Sequence, residues 1–179
     1  MSALAWIVLA IALVIAIFVI AVAQQPKDFR IERSATLPAP ANAVFAQVND
    51  FQNWRVWSPW ERLDPALKRS YEGPRAGTGS QYAWVGNKNV GEGRMTILDS
   101  RPAELVRIKL EFVKPFAATN TAEFRFKPAG SGTAVTWSMS GHNNFISRAM
   151  CLFINMDRMV GGQFEQGLSN LKNVVEHHE

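Results

Sequence analysis

The stretch VRIKLEF, residues 106–112, decides what kind of fold this chain can adopt. Its apolar residues, Val106, Ile108, Leu110 and Phe112, alternate with charged ones. A period of two residues places the two sets on opposite faces of a β-strand. One face must therefore meet a core while the other meets water, which is typical of an antiparallel sheet covered on one side.

The same alternation continues on both sides of this strand. Downstream, Ala122–Phe126 and Val135–Met139 repeat it, and Gly130-Ser131-Gly132 provides a turn between them. Upstream, Tyr82 and Trp84 share one face, and a further strand is predicted from about Gly91 to Leu98. These segments together predict a run of hairpin-joined strands.

Ahead of these strands, residues 29–37 also alternate, with Arg33 as a charged exception on the apolar side. Two short helices are predicted next, one over 41–48 and one that Asp50 would cap and that ends at Trp57. About six consecutive antiparallel strands then follow from Lys68 onward. Such an order excludes the parallel sheet of a nucleotide-binding α/β fold.

After residue 144 the apolar period changes from two residues to about 3.6, which indicates a long amphipathic helix. Its apolar stripe consists of Phe153, Met156, Val160, Phe164, Leu168, Leu171 and Val175. Because each glycine costs about 1 kcal/mol in a helix, a kink or a break is expected at Gly161-Gly162. The economical architecture is an α+β fold in which a curved antiparallel sheet of about seven strands wraps around this helix.

The N-terminal segment differs from the rest of the chain because it is apolar and carries no charged side chain. Ala3–Ala23 contains 21 residues and no charge, and thirteen of them are Leu, Ile, Val or Phe. As a helix rising about 1.5 Å per residue it would span about 31 Å, the thickness of a bilayer's hydrocarbon core. We therefore predict one transmembrane helix within residues 1–25, a short linker over 26–28, a soluble domain over 29–176 and a tail over 177–179.

A cleaved secretory signal is the alternative, because Ala21-Val22-Ala23 has the small-x-small form of a peptidase site. A retained anchor is favoured, since no Lys or Arg precedes the apolar run and the run is longer than a usual signal core. Lys27, Arg30 and Arg33 follow the helix, so the positive-inside rule places the soluble domain in the cytoplasm. The periplasm is the alternative.

Two segments carry a family resemblance: DFQNWRVWSPW, Asp50–Trp60, and GGQFEQGLSNLK, Gly161–Lys172. They resemble the START-like superfamily, specifically its bacterial polyketide cyclase/dehydrase-related branch (SRPBCC), over about residues 29–175. The resemblance implies a helix-grip fold that encloses an apolar cavity for lipids, sterols, polyketides or similar molecules, here tethered to a bacterial inner membrane. Some members are enzymes and many have no known activity, so the fold does not name the function.

A cavity between the sheet and the last helix is the site that the resemblance implies. Its predicted lining consists of Tyr82, Trp84, Phe112, Phe124, Trp137, Met139, Phe153, Val160 and Phe164. The alternative is that these side chains fill a solid core. Trp54 and Trp57 lie three residues apart on a short helix, so we expect them to plug one end of the sheet. An aromatic collar at the membrane, including Trp60, is the alternative for them.

No catalytic or metal-binding constellation is predicted, and no cofactor. His142 is the best polar candidate for the cavity, because imidazole exchanges protons near neutral pH, yet the sequence shows no partner for it. Asp157 and Glu165 are expected to form surface ion pairs. The sequence lacks phosphate-binding loops and the HExxH, CxxC and GxSxG motifs, and the single Cys151 excludes an intrachain disulfide.

The net charge of +4 is spread along the chain, unlike the clustered basic face of a nucleic-acid-binding protein. The sequence therefore predicts membrane-anchored binding of a hydrophobic small molecule or lipid, with no nucleic acid as partner. One alternative is a cyclase/dehydrase-type enzyme acting on an apolar substrate in the same cavity. Another is a membrane-associated interaction protein with a filled core. A non-enzymatic role is favoured.

Overall fold

The computed structural model describes residues 2–177 and divides into two compact units. The larger unit comprises Arg30–Gly141 and the chain from Asp157 onward. The smaller unit comprises the chain up to Phe29 together with His142–Met156. Of the predicted tail over 177–179, only His177 belongs to the described residues.

Seven strands form one sheet in the order β1-β7-β6-β5-β4-β3-β2, and each pair from β2 to β7 is antiparallel. The predicted α+β helix-grip fold is confirmed, with the long helix α5 at its C-terminal end. A 3₁₀ turn over Pro59–Arg62 follows α3. The elements are α1 Ala3–Ala23, β1 Asp28–Leu37, α2 Ala41–Asn49, α3 Trp54–Trp57, β2 Lys68–Glu72, β3 Gln81–Val85, β4 Glu92–Arg101, β5 Leu105–Lys114, β6 Ala118–Ala129, β7 Gly132–His142, α4 Phe145–Cys151 and α5 Met156–Glu176.

Aromatic rings join α5 to the sheet. Trp137 of β7 and Phe164 of α5 lie parallel, with ring centroids 4.2 Å apart and planes at 9°. Gly167 lies one turn further along α5, where a Cβ atom would stand only 2.7 Å from the Trp137 ring. The centre of the sheet therefore meets α5 through stacked rings at close approach.

The short helix α3 contributes two further rings to this core. Trp54 and Trp57 both lie within about 6 Å of the Trp137 ring, with centroid distances of 6.2 and 5.7 Å. Each indole N–H donates to a carbonyl of α2, Trp54 to Val48 at 2.9 Å and Trp57 to Gln47 at 3.2 Å. Because the N–H groups are satisfied, the rings can be buried at little cost. Both rings are buried in the interior, and their role as a plug at one end of the sheet stays a prediction.

Helix α5 runs unbroken through Gly161-Gly162, so the break expected there is wrong. The chain leaves helical structure earlier, between α4 and α5.

Arg33, the charged exception of β1, packs against Gly161. Its guanidinium occupies the space that a Cβ atom at position 161 would need. Arg33 donates to Asp157 at 2.9 Å and to Glu165 at 2.6 Å. The hydrogen bonds with Asp157 raise the pKa of Arg33, and the same contact lowers the pKa of Asp157.

In the smaller unit, α1 is long and apolar enough to cross a membrane. Nearly all of its side chains are exposed on the protein surface, which a soluble core helix would not permit. Val22 is fully buried near the C-terminal end, where α1 contacts α4. By length and composition alone, α1 fits a membrane span or an N-terminal signal sequence.

Two glycines of α5 provide a matched test of the ring stack. Gly167→Ala should lower the free energy of unfolding by about 1–3 kcal/mol, because the added methyl group would overlap the Trp137 ring. Gly162→Ala, where no atom lies within 4 Å of the new methyl group, should raise it by up to about 1 kcal/mol through helix propensity. Urea unfolding of the detergent-solubilised chain, followed by tryptophan fluorescence, measures both. Equal changes in the free energy of unfolding for the two substitutions would contradict the close packing of Gly167 against Trp137.

Candidate ligand-binding site

An open cleft of about 620 Å³ lies against strands β3 to β6 of the larger unit. Four of its lining residues occupy one row across these strands, in the order Trp84, Gly93, Phe112 and Ala118. The rings of Trp84 and Phe112 meet edge to face, with centroids 6.1 Å apart. Among the described residues, none of those in α5 lines this cleft. The strands alone provide its aromatic floor.

A bulge in β5, where Val113 is the extra residue, lies beside the floor. The register shifts between Glu92 and Gly93, so that Glu92 pairs with Lys114 while Gly93 pairs with Phe112. Such a bulge bends the strand and re-aims its side chains. At Gly93 a Cβ atom would stand 2.5 Å from the Trp84 ring, so glycine allows the indole to lie across β4. Gly93, a glycine within a strand, is the sequence signal that could have indicated this close approach.

Charged residues of the neighbouring row also line the cleft; because successive residues of a strand face opposite ways, their side chains point away from the rings, and they pair with other charges. Arg94 and Lys109 both pair with Glu111, at 3.2 and 2.7 Å, and Lys114 pairs with Glu92 at 2.7 Å. The hydrogen bond from Lys109 lowers the pKa of Glu111, and the one to Glu92 raises the pKa of Lys114. The lining of the cleft therefore includes both apolar rings and paired charged residues.

The nine residues predicted to line a cavity are not brought together at one place. Trp84 and Phe112 line the cleft. Phe124, Trp137 and Phe164 belong to the ring stack of the core, where Phe124 lies 4.6 Å from Trp137. The other four are Tyr82 and Met139, which are buried, Val160, which is half-buried on α5, and Phe153, which is 79% exposed in the smaller unit.

Tyr82 belongs to a buried polar network that the sequence did not reveal. Its hydroxyl donates to Glu61 at 2.6 Å, and Arg69 donates to the other oxygen of the same carboxylate at 2.6 Å. Burial raises the pKa of Tyr82, and the hydrogen bond to Glu61 raises it further. The network ties the 3₁₀ turn to β2 and β3. Its members lie 8 and 21 positions from Glu61 in the chain, a separation that no local pattern discloses.

His142 lies in the smaller unit and does not line the cleft. Its partner is Asp28, with 2.9 Å between Nδ1 and Oδ1, and both side chains are exposed. The two residues are 114 positions apart, which is why the sequence showed no partner. Across residues 2–177, no group of three or more His, Cys, Asp or Glu side chains is arranged to hold a metal ion.

Residues 28–176 match the family model described as polyketide cyclase / dehydrase and lipid transport. The chain belongs to this family. The resemblance inferred from Asp50–Trp60 and Gly161–Lys172 is thereby confirmed. The description of the polyketide cyclase/dehydrase and lipid transport family joins enzymes with carriers of apolar molecules, so membership supports hydrophobic-ligand binding or cyclase-like activity without choosing between them.

Solved structures share the fold of this family member at low sequence identity. Protein CV1439 from Chromobacterium violaceum is 17% identical with a TM-score of 0.58, over 84% of this chain and 99% of that one. An uncharacterised protein from Rhizobium leguminosarum is 14% identical with a TM-score of 0.62, over 84% and 96%. The Aha1 protein of Colwellia psychrerythraea is 12% identical with a TM-score of 0.59, over 83% and 96%. No curated protein matches the sequence.

The buried Tyr82 hydroxyl predicts a loss of stability in alkali. Its pKa is higher in the folded chain than in the unfolded one, so the folded state keeps a proton that the unfolded state releases above about pH 10. The free energy of unfolding should therefore fall as the pH rises beyond that value. Tyr82→Phe should make this fall shallower, at a cost of about 1 kcal/mol at neutral pH for the lost hydrogen bond. Urea unfolding from about pH 8 to about pH 11 measures the slopes.

The matched control is Tyr71→Phe, because Tyr71 stacks on Tyr82 but keeps part of its surface in water. Burial also raises the pKa of Tyr71, so a smaller change of slope is expected there. A larger change from Tyr71→Phe than from Tyr82→Phe would contradict the assignment.

Proposed function

We propose that this member of the polyketide cyclase/dehydrase and lipid transport family is a membrane-anchored binder of a hydrophobic small molecule or lipid. In this proposal residues 1–25 anchor the chain and residues 29–176 form the binding domain. The observation that carries it is the aromatic floor of the cleft, where Trp84 and Phe112 flank Gly93. An acyl chain or flat ring system would lie on this floor and remove apolar surface from water.

The charged residues that line the cleft favour ligand binding over catalysis. Acid/base catalysis needs a titratable group that is free to meet the substrate. The charged residues that line the cleft, Glu92, Arg94 and Glu111, are each engaged in an ion pair. Paired charges can still receive a polar headgroup by exchanging partners. The cleft therefore supports a carrier or sensor of an amphipathic molecule better than it supports a cyclase or dehydrase.

The anchor is supported by α1 and by the charges that follow it. An uncharged helix of 21 residues matches the hydrocarbon thickness, and Trp6 near its start suits the membrane–water interface. Lys27 and Arg30 follow the helix, and we propose on that basis that the domain is cytoplasmic at an inner membrane. Four residues separate α1 from β1, and even fully extended they reach only about 14 Å. Apolar molecules of the bilayer would thus stay close to the domain.

Binding is tested with a fluorescent fatty-acyl probe titrated into the detergent-solubilised chain. Trp84→Ala and Phe112→Ala should each weaken binding about tenfold or more, because each removes one ring of the floor. Ala118→Trp should also abolish uptake by filling the cleft while leaving both rings in place. Val56→Ala provides the control, since Val56 is exposed on α3 and does not line the cleft.

Saturable uptake that survives all three cleft substitutions would place the ligand elsewhere. Uptake that falls equally with Val56→Ala would indicate a general surface effect. Absence of any saturable uptake by the unmodified chain, together with no apolar species after solvent extraction, would overturn the binding proposal itself.

Retention of α1 is tested by the mass of the mature protein. If α1 is retained as an anchor, the mature chain should contain residues 1–25, should be bound to the membrane and should resist extraction by alkaline carbonate. A mature chain that begins at Gln24 would instead identify a cleaved signal. Protease added to inverted inner-membrane vesicles should digest the domain, whereas protease added outside intact spheroplasts should leave it whole. The reverse pattern would place the domain in the periplasm.

A further inference from the structure

A separate group of exposed apolar side chains lies in the smaller unit. It occupies α4 and the turn that follows it, over residues 145–154. Large apolar side chains form six of the ten residues of this segment, and none of them lines the cleft of the larger unit. Exposed apolar clusters of this kind mark membrane or partner contacts. The exposed members are Phe145, Ile146, Met150, Phe153 and Ile154.

Hydrogen bonds fix this segment beside the point where α1 ends. Arg148 of α4 donates from Nη1 to the carbonyl oxygen of Ala23, the last residue of α1, at 3.4 Å. That oxygen is one of the helix-end acceptors that receive no hydrogen bond within the helix. The backbone N–H of Asn143 donates to the carbonyl oxygen of Lys27 at 2.6 Å. Val22, on the last turn of α1, is fully buried.

The depth at which α4 would lie in a membrane follows from the length of α1. Twenty-one helical residues span about 31 Å, which equals the hydrocarbon thickness, so Ala23 would lie at its boundary. A segment held at Ala23 therefore lies at the boundary between headgroups and acyl chains. Apolar side chains of interfacial helices enter this zone to a depth of about 5–10 Å. Lys27, an exposed residue at the same level, would face the headgroups, to which basic residues are attracted.

We propose that Phe145–Ile154 inserts into the headgroup–acyl boundary of the membrane that α1 crosses, as a second membrane contact of this chain. The inference rests on the proposed anchoring by α1. It gives the exposed apolar side chains a lipid environment. A single helix is free to rotate about its own axis, and a second contact beside it restrains that rotation for the smaller unit.

The test measures how deeply position 153 lies in a bilayer. Cys151 is the single cysteine, so Cys151→Ser gives a cysteine-free full-length chain. In that background Phe153→Cys, Ile15→Cys and Leu98→Cys are each labelled with an environment-sensitive fluorophore. The proteins are reconstituted into phosphatidylcholine–phosphatidylglycerol vesicles that carry nitroxide groups at shallow or deep acyl positions. Leu98 is the matched control, because it is an exposed apolar residue of the larger unit and does not line the cleft.

The label at position 153 should be quenched by shallow nitroxides more than by deep ones, and at least about twofold more than the label at position 98. The label at position 15, in the middle of α1, should respond most to deep nitroxides. Met150→Cys provides a second reporter should Phe153→Cys fail to fold, with the same expectation.

Three outcomes would overturn the inference, and they are distinguishable. Deep quenching at position 15 with none at positions 150 and 153 would leave the anchor intact and remove the second contact. Blue-shifted emission at position 153 without quenching by either nitroxide would show that protein, such as a second copy of the chain, covers the segment. Absence of deep quenching at position 15 would remove the anchoring proposal, and the inference with it.

Discussion

The close approach of α5 to β7 at Gly167 is the constraint on which the rest of the larger unit depends. A side chain at this position would meet the Trp137 ring at 2.7 Å, so glycine sets how near the helix can come to the sheet. That distance allows Phe164 to stack on Trp137 with planes at 9°. Trp54 and Trp57 then close around the same indole from α3. Because interiors are close-packed, this arrangement leaves the centre between sheet and helix occupied by rings. The cleft lies elsewhere in the larger unit, on strands β3 to β6.

Arg33, the charged exception to the alternation of β1, is explained by its contacts with α5. A strand with one buried face should not carry a guanidinium on that face, because burying an unpaired charge is costly. The carboxylates of Asp157 and Glu165 resolve the conflict by accepting its hydrogen bonds from α5. Gly161 provides the room, so two irregularities that looked unrelated in the sequence prove to be one contact. Gly161 therefore marks a packing requirement of the helix rather than its interruption, whereas an added methyl group at Gly162 would meet no atom within 4 Å.

The fold was largely predictable because its signals are local. Alternation over 106–112 and its neighbours identified the strands, and the change of period after residue 144 identified α5, although the break at Gly161-Gly162 was wrongly expected. The site was less predictable, because it depends on which residues face each other across strands. Trp84 and Phe112 are 28 positions apart and meet only because both pair with Gly93 of β4. Glu61 and Arg69, likewise, are joined by tertiary structure alone. The predicted cavity lining as a whole stays a prediction.

The placement of the cleft has a consequence for how tightly it can hold a ligand. An enclosed cavity removes most of a ligand's apolar surface from water, at about 25 cal/mol per Å². A cleft whose floor is made by strands alone covers one side of the ligand, so the free energy gained per molecule is smaller. Under the proposed function a short tether to a bilayer compensates, because it would keep the cleft at a high effective concentration of membrane-dissolved molecules without any additional contact. Weak binding and anchoring would then act together. The cleft would release its ligand readily, and α1 would keep the cleft close to the membrane that supplies the ligand.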